Sequence, residues 1–181
     1  MNRIIVILLA AFAISACNET TQPTKEEAKA SIIENIEQTK VQLNEAGKKN
    51  KPSHAERLVT LYTDYADQYP KDSLAPEMLF MAGNVCIGLE EFDRSISYFE
   101  RIDEHYKTYL KHPEAIYLSG FVADYHQNKK GLAKNYYEKV IELYPDHVFA
   151  KDAKQAIMAL SMSDEELLKM FEEKNKPAAQ E

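Results

Sequence analysis

Three stretches of this chain carry one helical pattern, and they carry it at a nearly constant interval. Leu58/Tyr62/Tyr65, Ser95/Phe99/Ile102 and Ala133/Tyr137/Val140 each follow the spacing i, i+4, i+7, which places the three side chains on one helix face. Successive sets lie 37 and then 38 residues apart. Tyr69-Pro70 and Tyr144-Pro145 stand at the same distance beyond Leu58 and Ala133, and Gly83 and Gly120 are again 37 residues apart. A helical stripe that returns at this period means supersecondary units too small to bury their apolar faces alone, so that stacking builds the core.

Helix boundaries are legible between the stripes. Past residue 23 there is no strand-like alternation of useful length, and no Asn-Gly or Asp-Gly pair marks a β-hairpin. Thr24-Lys25-Glu26-Glu27, Ser53-His54-Ala55-Glu56 and Ser163-Asp164-Glu165-Glu166 have the capping-box form, in which hydroxyl and carboxylate satisfy each other's orphan N–H groups. Breaks fall at Gly47 to Pro52, Pro70, Pro113, Asn128 to Gly131 and Pro145. Eight helices are predicted, over 24–46, 53–69, 73–89, 91–110, 113–127, 130–144, 147–160 and 163–174. Ala28, Ile32, Ile36 and Leu43 form a stripe that should pack the first helix on the hairpin after it. Leu167, Leu168 and Phe171 among Glu and Lys give the last helix the composition of a polar-backed terminal cap. Residues 175–181 read as a disordered tail.

Leu79, Ala82 and Gly83, followed by Phe92, Ser95, Phe99 and Ile102, run large, small, glycine, aromatic, small, aromatic, aliphatic. Gly120, Ala133, Tyr137, Val140 and Pro145 repeat much of that order with one extra residue in the turn. The order resembles the tetratricopeptide repeat, a helix–turn–helix unit of about 34 residues. The likeness covers residues 53–160 and departs where Leu58 stands at a small position, Cys86 at an aromatic one, and in the absence of Trp. It implies an all-α fold, an α-solenoid of tetratricopeptide-like helical hairpins with flanking capping helices, over residues 24–174. Gly83 and Ser95 would then let paired helices approach, and Phe99 would fill the wedge toward the next repeat. The resemblance also implies a concave groove lined by the first helix of each repeat, here Glu77, Phe80 and Asn84, then Glu114, Tyr117, Phe121 and Asp124. Exposed aromatics flanked by acids suit an extended or helical peptide with basic residues. Terminal helices folded into the groove would leave nothing to bind.

The N-terminus reads as an export signal. Arg3 precedes the apolar run Ile4 to Ile14, too short for the roughly 20 residues that cross a bilayer. It ends in Ile14-Ser15-Ala16-Cys17, which resembles the bacterial lipobox; the alternative is an ordinary secretory signal cut after Ala16. The resemblance implies a signal peptide over 1–16, lipidation of Cys17 and a short tether over 17–23. Two or three acyl chains suffice for stable anchoring. Asn18, where a retained enterobacterial lipoprotein has Asp, favours the outer over the inner membrane. Tyr69-Pro70-Lys71-Asp72-Ser73-Leu74-Ala75 is similar to repeats of Gram-negative envelope lipoproteins in outer-membrane assembly and cell-division coordination.

Composition removes other classes. A net charge of −7 without a basic cluster leaves no electrostatic footprint for nucleic acid. Gly47, Gly83, Gly88, Gly120 and Gly131 are too scattered for a phosphate cradle, and two Cys make neither a disulfide framework nor a Cys-rich zinc site. Cys86, in an apolar helix at a core position, reads as an inert thiol. His54, His105, His112, His126 and His147 show no metal-ligand spacing, and most lie near helix ends where a solvated or capping role suffices. Glu90-Glu91-Asp93, Asp103-Glu104 and Asp164-Glu165-Glu166 fall at turns and helix starts, as solvated or capping acids do. Tyr62, Tyr65, Tyr69 and Tyr137 sit at packing positions. No catalytic residue, metal or cofactor is expected. The expected function is a non-catalytic adaptor of the cell envelope, anchored by lipid, facing the periplasm and binding a protein or peptide partner. The alternatives are a self-associating structural lipoprotein and an envelope hydrolase.

Overall fold

The computed structural model describes residues 23–47, 50–163, 165–166 and 169. They form seven α-helices: α1 (Lys25–Glu45), α2 (Lys51–Gln68), α3 (Ala75–Gly88), α4 (Phe92–His105), α5 (His112–Phe121), α6 (Lys130–Leu143) and α7 (Val148–Leu160). A π-helical turn, Val122–His126, prolongs α5. Each helix packs chiefly on its neighbours in sequence, which gives hairpins α1/α2, α3/α4 and α5/α6 with α7 stacked on the last. The described chain is an all-α helical-repeat solenoid. The expected signal peptide, tether and tail lie outside the described residues, as does most of the expected helix 163–174.

The period is written first in the backbone. Tyr69, Tyr106 and Tyr144 end α2, α4 and α6 with φ/ψ of −126/53, −132/48 and −138/56. Each donates its N–H to the carbonyl four residues back, of Tyr65, Ile102 and Val140. Glu90 and Asn128 take the left-handed conformation (φ 62 and 51) in the turns within the second and third hairpins. α4 therefore stops at His105, not at the expected residue 110. Tyr106 carries no following proline to mark the break, yet its chain turns as Tyr69-Pro70 does.

The extra residue of the longer period is not in the turn, where the sequence pattern put it. Asn128 stands one residue further from Gly120 than Glu90 does from Gly83, whereas the distances onward to Tyr144 and Tyr106 are equal. The insertion widens the last turn before Asn128 into the π form. Gln127 N–H reaches the Val122 carbonyl at 3.2 Å, and Lys129 N–H reaches that of Ala123 at 2.7 Å.

Close approach explains the two spaced glycines. A Cβ on Gly83 would stand 2.6 Å from the Phe99 ring, and one on Gly120 would stand 2.7 Å from Tyr137. Both rings are buried, so neither can swing aside. Ser95 and Ala133, the small positions of α4 and α6, are fully buried. α1 is more than a cap: it serves as first helix to α2. Its Ile36 joins Leu58, Val59, Tyr62, Ala82 and Cys86 in one apolar cluster.

Two of the three expected capping boxes form. The Thr24 hydroxyl accepts from Glu27 N–H at 3.2 Å while the Glu27 carboxylate accepts from Thr24 N–H at 2.7 Å, and Ser163 and Glu166 do the same. Ser53 does not cap. α2 begins at Lys51 with Pro52 in its first turn, where a missing N–H costs nothing. Glu56 is thereby free to accept from Arg94 of α4 at 3.0 Å. Similar ties join successive hairpins: Arg101 to Asp67, Tyr136 to Glu100, and the Tyr106 hydroxyl to the Pro70 carbonyl at 3.0 Å.

Candidate protein-binding groove

The first half of the expected groove is sealed. The Glu77 carboxylate on α3 accepts from the Tyr109 hydroxyl at 2.6 Å and from the Lys111 ammonium at 2.9 and 3.1 Å. Burial acts to raise this carboxyl, and the two donors outweigh it and hold the group below the usual carboxylate range. Lys111 also lies 4.9 Å from the centre of the Phe80 ring. That ring is only 5% exposed, packed on Phe99 at 5.7 Å and Tyr109 at 6.3 Å. Phe80 is thus not the exposed aromatic expected from its position. The loop after Tyr106, taken as helix from the sequence, folds over it. Asn84 spends its amide on the Phe80 carbonyl at 2.9 Å.

The second half is built on the same frame with different side chains. Phe149 follows Tyr144 by the interval at which Lys111 follows Tyr106, and it covers Tyr117 at 5.1 Å as Lys111 covers Phe80. The Tyr117 ring also lies 5.6 Å from that of Tyr137. Glu114, Tyr117, Phe121 and Asp124 are all half-buried and share one face of α5 and its π turn, with Phe149 lying over Tyr117. Among the described residues, neither Glu114 nor Asp124 is in an ion pair. Burial pushes the Asp124 carboxyl above its ordinary range, and the charge of Lys130 and the Tyr137 hydroxyl act against this without cancelling it.

Tyr125 is the residue that sequence reasoning missed. It is 74% exposed and stacks on Phe121 at 4.8 Å, with His126 edge-on to Phe121 at 5.8 Å. Its place four residues after Phe121 was the available signal. A large exposed ring braced by a second ring suits contact with a partner, since little side-chain freedom remains to be lost on binding.

Two other groups lie elsewhere than expected. His112 is 1% exposed and not a solvated helix-end residue. Its Nε2 lies 3.0 Å from Asp103, and its Nδ1 meets the Tyr144 hydroxyl. Asp103 also pairs with Lys139, so it is a half-buried tie between α4, α5 and α6 and not a freely solvated acid. Cys86 is fully buried, and burial pushes its thiol up to about 11, which makes it a core group with little thiolate at neutral pH. Among the described residues no three His, Cys, Asp or Glu side chains converge as metal ligands, and no helix is long and apolar enough to cross a membrane.

Comparison with curated proteins and with solved structures returned no match. Comparison with protein families returned the tetratricopeptide repeat, matched over residues 114–147. That interval runs from Glu114 on α5 through the π turn and α6 to the turn after Tyr144. The α5/α6 hairpin is therefore one tetratricopeptide-type unit, and the α3/α4 hairpin before it has a matching left-handed turn and tyrosine end.

Proposed function

We propose that this chain is a non-catalytic adaptor of the bacterial envelope, anchored through a lipidated Cys17 and facing the periplasm, that holds a partner protein against α5. Tetratricopeptide repeats generally mediate protein binding. The observation that carries the reading is the exposed Tyr125 stacked on Phe121, on the same stretch of chain as Glu114 and Asp124, which are in no ion pair among the described residues. Replacing Phe121 and Tyr125 together with Ala is expected to leave the melting temperature within a few degrees of wild type. Crosslinking in native cells should then recover the partner at least tenfold less well, since central interface aromatics often carry about 2 kcal/mol each. A stable double variant that recovers its partner normally removes the groove reading. The anchor is tested separately: Cys17→Ala should abolish incorporation of labelled fatty acid, and continued labelling would exclude the lipobox.

Self-association is the second reading. Leu110 and Val148 occupy the same place after Tyr106 and Tyr144, and both stand exposed on the edge of the stack. A dimer in light scattering that Leu110→Ser dissolves would favour it.

A further inference from the structure

The edge of the solenoid at which α1 begins is one continuous surface, and three tyrosines build it. The Tyr69 hydroxyl donates to the Lys25 carbonyl at 3.3 Å, that of Tyr106 to the Pro70 carbonyl at 3.0 Å, and that of Tyr144 to the Lys107 carbonyl at 3.5 Å. The start of α1 and the turns after α2, α4 and α6 therefore stand in a row, each hooked to the one before. An open cleft lined by Pro70, Ser73, His105, Tyr106 and Leu110 joins the first two of these turns.

Apolar side chains project from this row. Leu110 is 88% exposed, Val148 57% and Leu74 41%, and each sits four or five residues past the tyrosine of its turn. Lys25, Lys71 and Lys107 are exposed along the same edge and are in no ion pair among the described residues. Glu26, Glu104 and Asp146 are exposed there too and offset them, so charge alone draws nothing to the edge. Apolar tips among long-stemmed lysines suit the boundary between acyl chains and headgroups, where the ammonium groups stay at the phosphates.

Where the chain leaves the fold points to a lipid surface as the occupant. Cys17 to Pro23, seven residues, can span at most about 25 Å. From the same edge α1 runs 21 residues, about 31 Å, to the opposite one. A Cys17 held at a membrane keeps the first edge within reach of the bilayer, and the opposite edge cannot point straight into it. The tether also holds the apolar tips at a high effective concentration over the lipid, so that contacts too weak for a free chain are made.

We infer that the solenoid stands on this edge, with Leu110 and Val148 entering the acyl boundary of the membrane and Lys71 and Lys107 at its phosphates. The helices are then upright, and Phe121 and Tyr125, toward the far end of α5 and its π turn, are held away from the bilayer. The inference rests on the lipid anchor proposed above and adds the orientation that the anchor alone does not set.

The chain contains no Trp, so one introduced indole reports its own surroundings. Leu110→Trp and Val148→Trp are made in the full chain bearing its lipid and reconstituted in vesicles of phosphatidylethanolamine and phosphatidylglycerol, with and without brominated acyl chains. Leu132→Trp, near the start of α6 on the opposite edge, is the reference. Both edge indoles should be quenched by bromine severalfold more strongly than Leu132→Trp. Their emission should also lie to the blue of the same variants carrying Cys17→Ala in solution. Equal quenching at all three positions would mean that no edge is preferred, and quenching at none would mean that the domain hangs clear of the lipid; either overturns the inference. Blue emission already present in the Cys17→Ala chain, with a dimer in light scattering, would give the edge to a second copy and overturn it too. If labelled fatty acid enters Cys17 but the edge indoles are not quenched, the anchor stands and only the orientation falls. If the label never enters, anchor and orientation fall together.

Discussion

The hairpins α3/α4 and α5/α6 have almost the same backbone and opposite electrostatic outcomes. Each sets a glycine under an aromatic ring and ends at a tyrosine in the same conformation. In the first, the loop after the tyrosine returns Tyr109 and Lys111 to Glu77, and the helix face is closed. In the second, the equivalent loop brings His147 and Phe149. His147 caps α7 by accepting from Phe149 N–H at 3.3 Å, and no described cation reaches Glu114. Two differences in a loop thus decide whether the acid on a repeat's first helix is tied down by a tyrosine and a lysine or left without an ion pair. The scaffold's regularity makes such local changes possible, because neighbouring units do not have to adjust.

The comparison predicts a graded series of effects. Phe99→Ala empties the wedge between repeats and should cost about 3–5 kcal/mol, read by chemical denaturation. Gly83→Ala and Gly120→Ala should each cost roughly 1–3 kcal/mol despite alanine's better helix propensity, because the added methyl overlaps an immobile ring. A stabilised variant at either position would show that the rings move. Next in size is Glu77→Gln, expected to cost about 1 kcal/mol at pH 7 by uncoupling Tyr109 and Lys111. The Glu77 carboxyl lies below its free value in the fold, so its contribution is present above that free value and is lost as pH falls through the folded one. The deficit of the Gln variant should therefore close on acidification. Asp124→Asn should have the smallest effect and the opposite sign. Its carboxyl lies above its free value, so ionisation opposes folding once pH rises through the folded value. The variant should melt slightly above wild type at pH 7 and match it in acid. Shifts of the same sign for Glu77→Gln and Asp124→Asn would erase the distinction between the hairpins.

The fold was largely legible because repetition multiplies a weak signal. The stripe through Phe99 and Tyr137, the two glycines and the Pro-marked turns each recur, and the helices fall close to their predicted bounds. The misses have local causes. Tyr106 ends a helix without proline or glycine, through tertiary packing that propensity does not report. Pro52 takes over the start of α2 from a well-formed capping box. Half of the candidate groove was misread because exposure depends on what folds over a residue: the register that identified Phe80 as outward-facing carries no information about Lys111, a loop residue 31 positions later. His112, beside a proline at a helix start, gives no sequence sign of being buried between Asp103 and Tyr144.

Every hairpin is tied to the next by side chains about one period apart, and this has a kinetic consequence. The longest-range side-chain hydrogen bond among the described residues, Tyr69 to the Lys25 carbonyl, spans 44 positions. Among the described residues, forming these ties never requires distant parts of the chain to meet, which keeps the entropic barrier low and the search short. A chain delivered N-terminus first can settle α1 on α2 while the remainder is still arriving, and each later pair finds a finished surface waiting. The stretch left exposed at any moment is about one hairpin long, too little for misassembly to compete well with growth from the completed end.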